Sequence, residues 1–254
     1  MIRESTTDSP PPVQSIQNQA ATLSPSLRQA LTPGKPKGAR ELKFLLTLEE
    51  AQLFEDRLKE SLAPDPHSIG GGYQVRSLYF DTPQLDVFHR CGNHAFRKYR
   101  IRQYGSMNTL FLERKSKRAQ RILKHRMEIH KSNLSEELMG SGWFSTEVSL
   151  QNLAPVCIIS YERRAYIGEN GDIRVTLDRD LCGQAAKGFD MDLGPQGKPV
   201  HGGKCVLEFK FLDEIPGQLR ALMRDFKLRP GGHSKYRGCM SVLGIAVHPG
   251  SKTA

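Results

Sequence analysis

The chain has 254 residues and a formal net charge of +10 at pH 7, with 37 lysines and arginines against 27 aspartates and glutamates. This length suits one large domain, and no apolar run approaches the roughly 20 residues of a membrane-spanning helix, so we expect no transmembrane segment. The positive charge indicates an anionic partner, but zinc-finger and RNP-type motifs are missing, so we do not expect nucleic acid.

The N-terminal part of the sequence divides at residue 38. Residues 1–38 are rich in proline, serine, threonine and glutamine without an apolar period, which predicts a disordered arm. The start also lacks a basic stretch followed by an apolar one, so we expect no secretory signal and a cytoplasmic protein. A strand is predicted at 40–46, and Thr47 with Glu50 three residues later predicts a capped helix reaching about residue 61.

The remainder is predicted mainly as strands separated by short turns. After a strand at 73–81, further strands are expected at 94–104, 108–115, 121–130, 156–167, 172–180 and 205–211. We predict a short helix near 134–140, a helix at 216–226 and a last helix beginning at Ser234. The glycine-rich segment 181–203 is predicted as a long loop with a short strand.

Charged residues recur at spacing two in four of these predicted strands, and in a fifth the charged Arg174 alternates with the polar Thr176. Because side chains i and i+2 of a strand point to the same face, each stretch presents its charges on one side. Several such strands together predict a sheet that curls around a charged interior able to hold polyphosphate groups. The stretches are Arg100–Arg102, Glu113–Lys115, Lys124–Glu128, Arg174–Thr176 and Glu208–Lys210.

Nine short motifs in order carry a family resemblance. They are Glu41-Leu-Lys43-Phe, Arg76-Ser-Leu-Tyr-Phe-Asp-Thr82, Arg100-Ile-Arg102-Tyr-Gly105 with Gln103 between, Leu112-Glu-Arg-Lys115, Lys124-x-Arg126, Tyr161-Glu-Arg163-Arg-Ala-Tyr166, Arg174-Val-Thr-Leu-Asp178, Val206-Leu-Glu208-Phe-Lys210 and Ser234-Lys-Tyr236. Together they resemble the VTC domain, the polyphosphate polymerase domain of the vacuolar transporter chaperone family. The resemblance implies the triphosphate tunnel metalloenzyme fold over residues 39–246, followed by a tail at 247–254. This is an α+β fold in which an eight-stranded antiparallel β-barrel is flanked by helices.

The resemblance also implies roles for individual side chains. Arginine suits a phosphate tunnel because its planar donors bind phosphate oxygens in pairs and stay charged. Catalytic roles fall on Arg100, Arg102, Lys115, Arg163, Arg174 and Lys235, and phosphate binding on Lys43, Arg76, Lys124, Arg126 and Lys210. Glu208 is the expected ligand for Mn²⁺ or Mg²⁺, because hard cations take carboxylate oxygens beside substrate phosphates. Glu41, Glu113 and Glu128 are weaker candidates for the same role.

The implied activity is transfer of the ATP γ-phosphoryl group to a growing polyphosphate chain, so ATP and inorganic polyphosphate are the expected partners. Two alternatives remain open: a metal-dependent triphosphatase or polyphosphatase, and a non-catalytic module that binds polyphosphate or nucleotide. The Glu-x-Glu-x-Lys motif of other tunnel enzymes is reduced here to Glu41-x-Lys43, which favours the polymerase branch. The sequence does not indicate a membrane or protein partner.

Overall fold

The computed structural model describes residues 39–68, 71–118, 121–192, 194 and 197–247. The predicted arm at 1–38 and most of the predicted tail therefore lie outside the described residues. In the described part the strands are β1 Arg40–Leu46, β2 Ala63–Pro64, β3 Tyr73–Asp81, β4 Arg97–Tyr104, β5 Thr109–Arg118, β6 Arg121–His130, β7 Ala154–Ile167, β8 Ile173–Ala185, β9 Lys198–Pro199 and β10 Cys205–Phe211.

The α-helices of the same residues flank this sheet. They are α1 Leu48–Leu58, α2 Asp86–His89, α3 Leu134–Met139, α4 Trp143–Leu150, α5 Gly217–Asp225 and α6 Lys235–Val242. The predicted capping box begins α1: the Thr47 side chain accepts from the Glu50 backbone, and the Glu50 carboxylate accepts from the Thr47 backbone. Of the helices described, none is both long and apolar enough to cross a membrane.

All ten strands belong to one antiparallel sheet, but this sheet is not closed. Its main path runs β1-β10-β8-β7-β3-β4-β5-β6, while the two-residue strands β2 and β9 pair with β7 and β8. No backbone ladder joins β1 to β6 in the described residues, so the predicted closed eight-stranded barrel is not confirmed. Side chains rather than backbone groups connect this side of the sheet, because Lys115 on β5 reaches Glu41 on β1.

The apolar residues of the sheet lie mainly on its outer face, where helices cover them. On one side, Phe54 and Leu58 of α1 and Leu222 of α5 pack in a core with Val175 and Phe209. On the other, fully buried outer-face residues of β3, β4 and β5 pack with Phe144 of α4; these are Leu78, Ile101 and Leu112. The hydrophobic effect therefore holds the helices outside and leaves the opposite face to the charged side chains. We call that opposite face, which carries Arg100 and Glu113, the inner face.

Candidate active site on the inner face

Strand β4 places alternate side chains on opposite faces of the sheet. Arg100 donates from Nη1 to the Tyr79 hydroxyl at 3.2 Å. Arg102 donates from Nε to Ser77 Oγ at 3.0 Å and from Nη2 to the Tyr161 hydroxyl at 3.2 Å. Ile101, between the two arginines, is fully buried in the outer core. The prediction from spacing is thus confirmed for this strand: both arginines point to the inner face.

Glu113 on β5 is the centre of a cluster of three ion pairs. Its fully buried carboxylate lies 2.6 Å from Arg100 Nη2, 2.6 Å from Lys124 Nζ and 2.5 Å from Arg126 Nη2. Burial alone would raise the pKa of Glu113, but the charges of Arg100, Arg102, Lys124 and Arg126 hold that pKa well below its usual range. Glu113 therefore stays ionised and brings together cations of the two strands beside it, β4 and β6.

A pair of carboxylates lies where β1 meets β10. Lys43 and Glu208 are direct cross-strand partners, with Nζ 3.2 Å from Oε2, and Lys115 Nζ lies 3.1 Å from Glu41 Oε2. Burial would raise the pKa of Glu208, but the charge of Lys43, with those of Lys235 and Lys115, keeps that pKa well below its usual range. Both carboxylates contact Lys43, Glu208 Oε2 at 3.2 Å and Glu41 Oε2 at 3.8 Å, so they are close enough to act on one ligand.

Asp178 on β8 joins the sheet to helix α6. Arg163 binds its carboxylate with two parallel contacts, Nε–Oδ1 at 2.6 Å and Nη2–Oδ2 at 2.8 Å. Lys235, the first residue of α6, contacts Oδ2 at 2.6 Å. The Arg163 and Lys235 cations both lie over the Tyr161 ring, 5.4 and 5.1 Å from its centroid. The docking of α6 thus brings Lys235 to the inner face, as the motif order implied.

Two more basic residues complete this face. Arg174 on β8 donates from Nε to Asp65 Oδ2 at 2.8 Å and from Nη2 to the Tyr73 hydroxyl at 3.3 Å. Lys210 is its cross-strand partner on β10 and also faces Glu41 on β1. The inner face therefore gathers more cations than carboxylates: Lys43, Lys98, Arg100, Arg102, Lys115, Lys124, Arg126, Arg163, Arg174, Lys210 and Lys235 against Glu41, Asp65, Glu113, Glu128, Asp178 and Glu208.

The model of the VTC domain matches residues 38–244. The chain belongs to the VTC domain family. No curated protein matches it.

Among solved structures, an adenylyl cyclase candidate from Hippeastrum with a dominant triphosphatase activity is 16% identical to this chain. The TM-score is 0.52, and the likeness covers 80% of this chain and 95% of that one. A candidate adenylate cyclase from Bacillus halodurans is 15% identical, with a TM-score of 0.51 over 78% of this chain and 95% of that one. The mostly antiparallel sheet of this VTC domain is thus similar to triphosphate tunnel structures.

Arg76, one of the predicted phosphate ligands, does not lie on the inner face of this VTC domain. Its neighbour Ser77 points to the inner face, where it meets Arg102, so Arg76 points to the outer face. There its guanidinium forms an exposed ion pair with Asp192 at 3.1 Å. The expectation that Arg76 lies with the phosphate ligands is corrected, because strand alternation turns it away from them.

The sequence interpretation missed several side chains of the inner face. Lys98 lies two residues before Arg100, at the same spacing that singled out Arg100 and Arg102, so an extension of that pattern would have found it. Asp178 falls within a recognised motif but received no role, although it binds both Arg163 and Lys235. Hydroxyl groups hold Arg100, Arg102 and Arg174 in place. Three of them belong to Ser77, Tyr79 and Tyr161, which lie in recognised motifs but received no role, and the fourth belongs to Tyr73, which lies outside the motifs.

Triphosphate tunnel proteins generally use a divalent cation, and the inner face offers a donor set that fits one. Glu41 and Glu208 supply two neighbouring carboxylates, and Mg²⁺ commonly binds one or two carboxylates together with substrate phosphates. In the part of the chain that is described, no group of three or more aspartate, glutamate, histidine or cysteine residues is arranged to hold a metal. The carboxylate pair therefore fits a cation that arrives with phosphate rather than a fully protein-bound one.

Tyr104 provides a pH-dependent reporter of the cations. Burial would raise its pKa, but Arg102 and Arg126 lower it to about 7, and the Arg126 Nη2 donor lies 2.9 Å from the Tyr104 hydroxyl. The lowered pKa predicts a stability contribution that is present above the unfolded pKa of about 10 and is lost as pH falls through about 7. Titration of tyrosinate absorbance should therefore show one phenol ionising near neutrality.

The same titration identifies the phenol. The component near neutrality should vanish in Tyr104→Phe and persist in Tyr73→Phe, which removes a neighbouring phenol. Bound tripolyphosphate should move this component to higher pH, because phosphate oxygens then compensate the charges of Arg102 and Arg126. A wild-type protein whose tyrosines all ionise near the ordinary value would contradict the described contact with Arg126.

Proposed function

We propose that this VTC domain is a polyphosphate polymerase that transfers the γ-phosphoryl group of ATP to a growing polyphosphate chain. The observation that carries the proposal is the excess of cations over carboxylates on one partly buried face. The cations of such a face repel one another when it is empty, and an anion with several charges relieves that repulsion when it binds. A polyphosphate chain and the triphosphate of ATP are two ligands of this chemistry.

The proposed step needs no protein nucleophile. An oxygen of the chain's terminal phosphate attacks the γ-phosphorus of ATP, a new P–O bond forms, the β–γ bridging bond breaks, and ADP leaves with the electron pair. Positioning and charge stabilisation supply most of the catalysis in such transfers. A divalent cation held by Glu41 and Glu208 would neutralise charge on the phosphates.

The basic residues would divide this work according to their surroundings. Arg100 and Arg163, whose guanidinium groups are aligned by Glu113 and Asp178, would fork onto phosphate oxygens. Lys43 and Lys115 lie beside the carboxylate pair and would place positive charge next to the reacting phosphate. Lys124, Arg126, Arg174, Lys210 and Lys235 would hold the remainder of the chain by charge.

A second candidate function is hydrolysis of triphosphate or polyphosphate with water as the acceptor. It is favoured by the structural likeness to the Hippeastrum protein, which has a dominant triphosphatase activity. The cations and carboxylates described here would serve either acceptor, because the charge that develops on the transferred group is the same. The proposals differ only in what attacks the γ-phosphorus.

Product analysis decides between the two reactions. Purified protein is incubated with ATP and Mn²⁺, and ADP, free phosphate and polymer are resolved against time. The polymerase predicts ADP and polymer in step, whereas the hydrolase predicts ADP with free phosphate. Tight polyphosphate binding without any formation of ADP would contradict both proposed reactions and would indicate a domain that only binds polyphosphate. Omission of the metal should abolish turnover in either enzyme.

Paired variants of two arginines test which face binds phosphate. Arg102→Ala should weaken binding of tripolyphosphate by at least about tenfold, because it removes a charged donor from the inner face. Arg76→Ala breaks only an exposed ion pair on the outer face and should change the affinity by less than about twofold. Calorimetric titration with tripolyphosphate at two salt concentrations measures the affinity of both variants. Equal losses in the two variants would contradict the assignment of the inner face.

A further inference from the structure

Three cations of the inner face differ from the others in their partners. Lys43, Lys115 and most of the arginines pair with a carboxylate. Among the described residues, no salt bridge is formed by Lys98, Arg102 or Lys210. A partly buried cation without a counter-charge is costly unless a ligand supplies one. These three positions therefore indicate where negative charge is missing.

Lys98 has the most distinctive surroundings of the three. Its Nζ donates to Ser234 Oγ at 2.9 Å, and this ammonium group donates no other hydrogen bond within the described chain. An ammonium group has three donors, so a neutral hydroxyl leaves most of its capacity unused. Burial and the nearby charges of Lys43, Lys115 and Arg100 hold the pKa of Lys98 well below its usual range, with Glu41 opposing them.

The position of Lys98 links it to the reacting end of the inner face. It is the cross-strand partner of Lys115, which contacts Glu41 of the carboxylate pair. It also begins a row on β4, since Lys98, Arg100 and Arg102 point to the same face. At about 3.3 Å per residue this row spans roughly 13 Å, which suits a chain of phosphates better than a single one.

We propose that Lys98 binds a phosphate group of the substrate beside the Glu41–Glu208 pair, and that the phosphate chain runs from there along β4 past Arg100 to Arg102. This inference rests on the proposed function, because it takes a linear phosphate chain as the ligand. The inference adds one binding residue to the proposed function and gives the direction in which the phosphate chain lies along β4. The phosphate nearest Lys98 is the one beside the metal ligands, and Arg102 holds a phosphate farther along the chain.

The competing interpretation is structural, because Lys98 could serve only to tie β4 to helix α6 through Ser234. The two interpretations predict opposite changes in Lys98→Gln. A ligand-binding lysine crowded by cations should, when neutralised, leave the ligand-free melting temperature unchanged or higher while affinity for tripolyphosphate falls. A structural tie should lower the melting temperature and leave affinity unchanged.

The experiment measures metal-free tripolyphosphate affinity and ligand-free melting temperature for matched variants. Lys98→Gln should weaken binding at least tenfold, and Lys98→Arg, which keeps the charge, should recover most of that loss. Lys204→Gln makes the same substitution at an exposed lysine and should match wild type. Wild-type affinity in Lys98→Gln would overturn the Lys98 inference alone, whereas a wild-type protein that fails to bind tripolyphosphate would overturn the proposed function with it.

Discussion

Replacing Glu208 by glutamine should reduce metal-dependent turnover on the order of 100-fold or more while metal-free binding of polyphosphate holds or tightens. Removal of one group that stabilises the charge of the transition state has effects of this size in other enzymes. Binding should respond in the opposite sense, because Glu208→Gln removes a negative charge from a face that already has more cations than carboxylates. Few other substitutions should separate the two properties so widely.

The surroundings of Glu208 support this separation. Lys43 contacts its carboxylate at 3.2 Å, and Lys115 and Lys235 are close enough to lower its pKa. In the variant these lysines lose a negative neighbour and become available to phosphate oxygens. The glutamine amide keeps the size of the side chain but is a poorer ligand for a hard cation than a carboxylate.

Turnover is measured with ATP across a Mn²⁺ series, and binding by titration with polyphosphate in chelator. Glu60→Gln, at an exposed position beyond helix α1, controls for the loss of one negative charge from the whole protein. Normal Mn²⁺-dependent turnover in Glu208→Gln would remove the metal role. Glu208 would then be a structural partner for Lys43. Reduced polyphosphate binding in the variant would instead contradict the electrostatic account of the inner face.

The local part of this arrangement was accessible from the sequence because strand alternation is a local property. Charges at spacing two identified Arg100, Arg102, Lys124 and Arg126, and the capping box identified the start of α1. Asp178 and Lys235 meet only because α6 docks on the sheet, and no local pattern records that contact. No local pattern records either that the sheet stays open between β1 and β6, because these strands are far apart in the sequence.

Helix α4 and the last part of strand β8 were not predicted, for identifiable physical reasons. Helix α4 begins directly after Gly142, and the glycines around it favour a loop. Strand β8 continues to Ala185 through Gly183, within the segment 181–203 that the glycine content predicts as a loop. A Cβ atom at that position would collide with the Sγ atom of Cys239 on α6. The glycine therefore marks a close approach between helix and strand rather than an interruption of the strand.

Replacing Glu113 by glutamine should give the largest loss of stability of any single change on the inner face. The carboxylate is fully buried and contacts Arg100, Lys124 and Arg126. Removing one partner of a buried ion pair typically costs 3–5 kcal/mol. We expect about 3 kcal/mol in the ligand-free protein, because Lys124 and Arg126 are partly exposed and solvent screens their repulsion.

Urea denaturation of the ligand-free variant measures this loss. Glu128→Gln on the adjoining strand β6 is the control; Glu128 is exposed and forms no ion pair in the described part of the chain, so its change should stay within about 0.5 kcal/mol. A Glu113→Gln variant as stable as the control would show that the three cations do not need their carboxylate.

Polyphosphate should reverse the loss in Glu113→Gln. The chain supplies the negative charge that the variant lacks, so it should bind the variant more tightly than wild type and restore more of its stability at the same ligand concentration. A neutral crowding agent of similar size should not do so. If polyphosphate stabilised both proteins equally, the phosphates would lie away from Arg100, Lys124 and Arg126, and the path proposed along β4 would have to bypass Arg100. Greater rescue of the variant would instead place the phosphate chain against the cluster that Glu113 holds together.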